Sequence, residues 1–401
     1  MKISISGMLY ALSTALDCVE SEVFGVTTYH SKRVAYMCAK IGGSLGYPRQ
    51  KLSMLAGTAV MHDNALTEYI AIRRLDGDFK NIEASQLAPH CTMGEKNMSF
   101  LPFYTEVKNA VLYHHENADA SGPFGKKTDE TPVFAQIIHI ADQVDNMFDL
   151  SNITEEKYNK LMRWLDKKRN VLFETSLVDV FKKSISFDDI KSVEGGKISE
   201  ILSSTLPVCE PEYSDDEIIA FASLFARITD YKSHFTSTHS TGIAAKARKM
   251  GIYYKKSSDE CTKLYLAGAL HDIGKLTIPN EILEKPDKLS EEEFEVMKTH
   301  AYASYMILKD LTDIPDVVSW ACMHHEKLDS SGYPFGKGAD ELGKNERLLC
   351  CIDIYQALTE DRPYKAGMTH KEAVAIMWDM AENGKIDADI TKDIDKCFSH
   401  A

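Results

Sequence analysis

The feature that most constrains this chain is an internal repeat of histidine and aspartate positions. In each half of the sequence, a single His is followed by a His-Asp pair, a second single His, a His-His pair and an Asp. The interval between successive landmarks is the same in both halves or differs by a single position. Because five landmarks keep their order and spacing, we expect one module built twice. The first copy contains His30, His62, Asp63, His90, His114, His115 and Asp142, and the second contains His239, His271, Asp272, His300, His324, His325 and Asp353.

The segments around these landmarks have the pattern of helices. Ser290 and Glu293 have the spacing of a capping box, which predicts a helix that runs past His300 to Leu308. The segment 347–358 is apolar on nearly all sides, which predicts a buried helix. No segment sustains the alternation of a half-buried strand. The sequence therefore predicts an all-α fold of two tandem helical bundles.

The His-Asp pairs come near the ends of two apolar segments without proline, 52–65 and 261–275. If the second helix continued through the pair, Lys275 would face the same side as His271, four residues earlier. Lys275 could then neutralise a phosphate oxygen.

The repeat also suggests the domain boundaries. Residues 1–150 contain the first copy, and residues 151–206 have no counterpart within the repeat, so we interpret them as a helical linker. Pro207 and Pro211 precede an acidic run and indicate a boundary. We therefore place the second domain at residues 207–401.

Composition limits the classes of partner. A net charge of −14 argues against nonspecific binding to DNA or to an anionic membrane. No apolar run is long enough to cross a bilayer, so we expect no transmembrane helix, and the first residues lack the apolar core of a signal peptide. The nine cysteines are scattered without a CxxC pair, which predicts free thiols in a reducing cytoplasm.

The second copy offers seven side chains of metal-ligand type, too many for one tetrahedral zinc ion. Histidine and carboxylate ligands without cysteine suit iron, manganese or zinc. We therefore predict two divalent metal ions bridged by Asp272, which follows a ligating histidine directly. Two metals can together clamp a phosphodiester for in-line attack. Arg362 and Lys365, just after the buried helix, could hold a second phosphate.

The second half of the sequence resembles an HD-GYP domain, a branch of the HD phosphohydrolase superfamily. The resemblance covers about half of the chain and rests on three motifs. These are His271-Asp272-Ile273-Gly274-Lys275, then His324-His325-Glu326 with Asp329 and Gly332-Tyr333-Pro334, and then Asp353-Ile354-Tyr355-Gln356-Ala357-Leu358-Thr359 with Arg362-Pro363-Tyr364.

The resemblance implies two HD-type bundles and a phosphodiesterase that hydrolyses cyclic dinucleotides. The substrate would be cyclic di-GMP or 3′,3′-cyclic GMP-AMP, and the product a linear dinucleotide or mononucleotides, with iron or manganese as the metal. Lys275, Tyr333, Arg362 and Lys365 are the expected substrate contacts, although Tyr333 could instead shape its loop. Phe235 stands where some three-metal members have Glu, which favours two metals, and Ser330 stands where the family often has Gly.

The first half resembles a degenerate copy of the same domain. It keeps every ligand-type position, but Leu66 replaces the motif lysine and Ser121-Gly122-Pro123 lacks the tyrosine. A structural metal, a metal-free relic, a regulatory half and a working site all remain compatible with the sequence. His139, His234 and His370 fall outside the repeat, and we predict that they are not ligands.

Two rival functions stay open from the sequence. One is a non-catalytic module that binds a nucleotide or a signalling protein. The intact Lys275 and Tyr333 argue against this function. The other is a different HD-type nucleotide hydrolase, which would have a four-ligand pattern. The additional His300 and the His-His pair argue against this hydrolase. The sequence does not decide between a monomer and a homodimer.

Overall fold

The computed structural model describes residues 3–24, 29–65, 84–205, 212–232, 239–285, 287–361 and 366–399. These residues form α-helices joined by turns and short 3-10 segments. The described part of the chain contains no strand, and its one isolated β-bridge joins Arg169 to Phe173. The all-α prediction is confirmed. Among the described helices, none is long and apolar enough to span a bilayer.

The chain divides into two compact units, Ser4–Pro211 and Glu212–Ala401, the latter together with Met1–Ile3. The described helices between residues 150 and 205 belong to the first unit by this division. The boundaries that we predict at residues 150 and 207, and the linker role of residues 151–206, stay predictions.

The first unit carries its landmarks on three helices and two turns. Its described helices are α1 (Ile5–Phe24), α2 (His30–Ser44), α3 (Arg49–Val60), α4 (Ala84–Met98), α5 (Tyr104–Val107), α6 (Val133–Phe148), α7 (Glu155–Lys167), α8 (Thr175–Ser184), α9 (Phe187–Ser192) and α10 (Lys197–Thr205). Short 3-10 segments occupy Thr128–Glu130 and Leu150–Asn152. Helix α2 begins at His30, α4 contains His90 and α6 contains Asp142.

The second unit repeats this arrangement. Its described helices are α11 (Asp215–Tyr231), α12 (His239–Tyr253), α13 (Ser258–Leu270), α14 (Asn280–Leu283), α15 (Glu291–Leu308), α16 (Pro315–Cys322), α17 (Lys344–Thr359), α18 (His370–Glu382) and α19 (Ala388–Phe398). A 3-10 segment covers Ile273–Thr277. Helix α12 begins at His239, α15 contains His300 and α17 contains Asp353.

The centre of the second unit is set by the close packing of α12 on α13. A Cβ at Gly268 would lie 2.7 Å from Cα of Ala244, so only glycine permits this approach. Leu264, Leu266 and Leu270 on α13 are fully buried. The His-Asp pair follows directly at the buried end of this helix, and its polar atoms therefore need partners in the interior.

The predicted helices are found, but both helices that lead to a His-Asp pair end before it, the first at Val60 rather than Ala65. Ser290 caps α15, and its Oγ accepts a hydrogen bond from the backbone N–H of Glu293 at 3.2 Å. The helix expected to continue to Lys275 ends instead at Leu270. The chain tightens there into the 3-10 segment because Gly274 packs against the backbone of α15, where a Cβ would lie 2.6 Å from the Ser304 nitrogen.

Candidate functional site

Seven side chains of the second unit converge on one centre. They come from the start of α12, the turn after α13, the middle of α15, the turn after α16 and the middle of α17. Six of the side chains are at most 12% exposed, and the seventh, His325, is 22% exposed. The structure thus brings together all the predicted donors of this half: His239, His271, Asp272, His300, His324, His325 and Asp353.

The carboxylate of Asp272 lies between two groups of imidazoles. Its Oδ2 is 2.9 Å from Nε2 of His271 and 3.6 Å from Nε2 of His239. Its Oδ1 is 3.3 Å from Nε2 of His300 and 3.8 Å from Nε2 of His324. Each oxygen therefore faces a different group, which is the placement that a carboxylate bridging two cations requires.

Asp353 joins the same two groups from the opposite side. Its Oδ1 is 3.3 Å from Nε2 of His239, and its Oδ2 is 3.6 Å from Nδ1 of His325. The Nε2 atoms of His325 and His300 are 3.1 Å apart. His239, His271 and Asp353 each offer one ligand atom, and these three atoms lie within 4.8 Å of one another. The same holds for one ligand atom each of His300, His324 and His325. The donors could therefore hold a metal ion at each of two positions.

The orientation of the rings supports metal binding. The Nδ1 atoms of His271, His300 and His324 lie 2.6–2.8 Å from backbone carbonyl oxygens, which accept only from a protonated nitrogen. The neutral rings therefore present the lone pair of Nε2 to the centre. The Nε2 atoms of His271 and His324 are buried without a hydrogen-bond partner. A buried polar atom without a partner is costly, and a metal ion would satisfy it.

His239 is held by Glu360, a residue that the sequence analysis missed. Nδ1 of His239 donates to Oε2 of Glu360 at 2.9 Å, and both side chains are buried. Burial would lower the pKa of His239, but its hydrogen bonds with Asp353 and Glu360 outweigh this effect and raise the pKa to about 9. Glu360 follows Asp353 by seven residues, or two helical turns, and this spacing was a usable signal.

Lys275 lies beside the carboxylate of Asp272, on a 3-10 turn rather than on the continued helix that we expected. Its Nζ donates to Oδ2 of Asp272 at 2.5 Å, and its side chain is 18% exposed. Burial disfavours the charged carboxylate, yet the neighbouring His271 and Lys275 hold the pKa of Asp272 well below its usual value. A cationic side chain is thus built into the centre beside Asp272.

The tyrosine of the predicted motif lies over the half-exposed side of the centre. The ring centroid of Tyr333 is 4.7 Å from that of His325 and 6.4 Å from that of His300. Burial raises the pKa of the Tyr333 hydroxyl. Arg362 and Lys365 lie outside the described residues.

Glu326, which the motif contains without an assigned role, fixes the loop that carries Tyr333. Its carboxylate is buried and accepts hydrogen bonds from the backbone N–H groups of Phe335 at 2.7 Å and Lys337 at 2.9 Å. Gly332 allows the loop to fold back on this residue, because a Cβ there would lie 2.5 Å from Cα of Glu326. The carboxylate therefore organises the loop rather than the metal ligands.

The first unit brings its own seven donors together in the same way. Oδ1 of Asp63 is 2.9 Å from Nε2 of His90, and its Oδ2 is 3.4 Å from Nε2 of His62. Oδ1 of Asp142 is 3.3 Å from Nε2 of His30. The candidate groups are His30, His62 and Asp63 on one side and Asp63, His90, His114 and His115 on the other.

The two described histidines outside the repeat have other partners. His139 lies 3.1 Å from the side-chain oxygen of Asn117. His370 lies 2.9 Å from the hydroxyl of Tyr355 and 3.0 Å from the carboxylate of Asp395. Neither is in a candidate metal group. The other two histidines outside the repeat, His234 and His400, lie outside the described residues.

Comparison with known proteins identifies matches to both copies. A family model described as an HD domain matches residues 17–163 and 223–390. The chain is similar to 3′3′-cGAMP-specific phosphodiesterase 1 of Vibrio cholerae, with 29% identity over 398 residues that cover 97% of this chain and 90% of the relative. It is also similar to 3′3′-cGAMP-specific phosphodiesterase 3 of the same organism, with 31% identity over 292 residues, 72% of this chain and 62% of that protein.

A solved structure shares the fold over the whole length. The crystal structure of a cyclic GMP-AMP specific phosphodiesterase from Vibrio cholerae superposes with a TM-score of 0.68 and covers 100% of this chain and 99% of that chain, at 23% sequence identity. At this identity the likeness supports the helical architecture of both units.

Proposed function

The chain belongs to the HD-domain family, and on that premise we propose that its second unit is a metal-dependent phosphodiesterase that hydrolyses a cyclic dinucleotide. The observation that carries the proposal is the position of Asp272 between two groups of buried imidazoles. Such a centre suits two divalent ions, and the nitrogen-rich donor set favours iron or manganese over magnesium. The products would be a linear dinucleotide or mononucleotides.

The protein side chains would divide the work between holding the metal ions and holding the substrate. Bound cations would supply the positive charge that stabilises the transferred phosphoryl group and activates water. The seven donors of the centre would fix the positions of these cations. Lys275, the basic side chain beside Asp272, would neutralise a phosphate oxygen.

The outer part of the substrate would meet Tyr333 and the segment after α17. The tyrosine lies over His325, so a nucleotide that reaches the metal ions must pass its ring. From the sequence we assign contacts with the second phosphate to Arg362 and Lys365.

Among cyclic dinucleotides, 3′,3′-cyclic GMP-AMP is the first substrate to test and cyclic di-GMP the second. Both relatives described above, which match 97% and 72% of this chain, are named for the former. The described cysteines are free thiols, in keeping with the cytoplasmic location that we propose for such an enzyme.

The test is turnover by the full-length protein purified without oxygen and loaded with iron or manganese. Chromatography would follow both cyclic dinucleotides with wild type and with Asp272→Asn. We expect product from wild type and a loss of about a hundredfold or more in the variant, because the bridge between the two donor groups is weakened.

A matched control is His370→Asn, which replaces a histidine of the same unit that lies outside the donor groups. This variant should turn over like wild type. Metal bound at the centre, with neither cyclic dinucleotide hydrolysed by wild type, would refute the phosphodiesterase. Ligand binding under those conditions would favour the signalling module instead.

A further inference from the structure

The donor groups of the first unit have nearly the same geometry as those of the second unit, which would not be expected of a copy that has lost metal binding. Nε2 of His114 is 3.7 Å from Oδ1 of Asp63, and the corresponding distance in the second unit, from His324 to Asp272, is 3.8 Å. The contact between the first histidine and the last aspartate of the repeat measures 3.3 Å in both units. Both halves therefore place one carboxylate between two imidazole groups.

The rings of the first unit are also turned for metal binding. Nδ1 of His62 lies 2.8 Å from the carbonyl oxygen of Ala59, and Nδ1 of His114 lies 2.6 Å from that of Val111. Each Nε2 therefore presents a lone pair to Asp63. Both Nε2 atoms are buried without a hydrogen-bond partner, which costs about 1–3 kcal/mol for each atom unless another group satisfies it.

A buried ion pair fixes the ring of His30. Nδ1 of His30 lies 2.6 Å from Oδ2 of Asp145. Arg33 donates to both oxygens of this carboxylate, at 2.7 Å from Nε and 2.8 Å from Nη2. The corresponding positions of the second unit are Gly242 and Gln356, so the pair is specific to the first unit. Burying an arginine and an aspartate is costly, and the pair is therefore a built support for His30 rather than residual structure.

The sequence of the first copy has no counterpart of the two groups expected to handle the substrate, Lys275 and Tyr333. Leu66 stands in the sequence where the second unit has Lys275, and the loop after His115 has no residue at the position of Tyr333. The loop is otherwise organised alike, because Glu116 accepts hydrogen bonds from the backbone of Phe124 and Lys126, each at 2.6 Å. The sequence of the first copy thus keeps the metal donors but not the lysine and the tyrosine of the second.

We propose that the first unit holds a second two-metal centre, which stabilises that unit and does not hydrolyse the cyclic dinucleotide. Its donors are His30, His62, Asp63, His90, His114, His115 and Asp142. The centre differs from that of the second unit in its support by Arg33 and Asp145.

The test measures the metal content of full-length protein loaded with manganese and desalted. We would compare wild type, Asp63→Asn, Asp272→Asn and the double variant by elemental analysis. We expect each single variant to lose about half of the bound metal and the double variant to lose nearly all, because each aspartate joins the two donor groups of its own unit. Manganese should also raise the melting temperature of metal-free Asp272→Asn, but not that of the double variant.

His139→Asn is the matched control, since it removes a buried histidine from the same helix as Asp142 but from outside the donor groups. It should bind as much metal as wild type. His90→Gln provides a second substitution in case Asp63→Asn folds poorly by circular dichroism. Wild-type metal content in folded Asp63→Asn or His90→Gln would overturn the proposal, as would hydrolysis by Asp272→Asn that disappears in the double variant. The metal measurement does not depend on the substrate, so it stands even if the phosphodiesterase activity fails.

Discussion

At the residue scale, the direction of each imidazole depends on what holds its Nδ1 atom. Backbone carbonyls three residues earlier hold the rings of His62, His114, His271, His300 and His324. The first histidine of each copy stands at the start of its described helix, and its Nδ1 atom has a different kind of partner. A carboxylate from far along the chain takes this role, Asp145 for His30 and Glu360 for His239.

We therefore expect Glu360→Ala to weaken metal binding at the second unit. Without the carboxylate, His239 loses the acceptor that fixes its ring and makes Nε2 more basic. Loss of such a partner typically reduces metal affinity by about 10–100-fold. Competition with a chelator would measure the affinity in the Asp63→Asn background, where the second unit's donors are the intact set.

Glu360→Gln separates orientation from charge, because its amide oxygen still accepts from Nδ1. Its metal affinity should fall between those of wild type and Glu360→Ala. Wild-type affinity in the alanine variant would show that α12 alone positions His239.

At the scale of the elements, small residues lie where the turn after each His-Asp pair contacts the helix that carries the next histidine, but their identities differ between the two copies. In the second unit Gly274 meets α15 at Ser304, whose Oγ accepts from the Gly274 nitrogen and donates to the His271 carbonyl, both at 2.9 Å. In the first unit the corresponding residues are Ala65 and Gly94, and a Cβ on Gly94 would lie 3.8 Å from that of Ala65. The turn of the second unit therefore requires glycine at position 274, whereas a Cβ on Gly94 would be crowded by Cγ1 of Val111, at 2.9 Å, and not by Ala65.

Gly274→Ala should therefore destabilise the second unit by about 1–3 kcal/mol, the usual cost of overpacking a buried site. The added methyl group would meet the backbone of His300 and Ser304, which cannot turn aside as a side chain would. Urea unfolding in a Trp164→Phe background would measure this, because the remaining tryptophans, Trp320 and Trp378, are both in the second unit.

Gly43→Ala is the corresponding control in α2 of the first unit, where a Cβ would meet nothing within 4 Å. It should leave the transition of the second unit unchanged. An unchanged transition in Gly274→Ala would mean that α15 yields to the methyl group and that the close approach is not required.

At the scale of the whole molecule, each unit buries carboxylates and imidazoles at its centre, and the chain carries a net charge of −14. Cations at these centres would bind the folded state alone, since the donors of each unit are distant in sequence. Such binding adds stability in proportion to the logarithm of the metal concentration over Kd.

Removal of metal by a chelator should accordingly lower the melting temperature of the wild-type chain. At a concentration of about 100 times Kd, each bound ion contributes about 2.7 kcal/mol that the chelated protein lacks. Calorimetry before and after chelation would measure the loss, and manganese should restore it. Magnesium is the control, because imidazole-rich sites suit it poorly. A melting temperature that does not change on chelation would argue against metal at either centre.

The repeat made much of this protein predictable from its sequence. The register of the histidines and aspartates predicted the duplication, the helical class and the fourteen donors that the structure brings together. It did so because a helix places its residues at a fixed angle and rise, so a repeated interval between landmarks preserves the geometry of their side chains. The domain boundaries and the substrate contacts stay predictions.

Only the tertiary structure determined which residues support those donors. Glu360 and Asp145 hold histidines that lie far before them in the sequence, and Arg33 pairs with Asp145 across a similar stretch of chain. Likewise, the helix expected to reach Lys275 ends at Leu270 because the backbone of α15 lies against Gly274. The seven-residue spacing from Asp353 places Glu360 near the centre, but no local pattern identifies His239 as its partner. The contacts depend on which helices pack together when the chain buries its apolar faces. The donors themselves were predictable because the same pattern of histidines and aspartates occurs in both halves of the sequence.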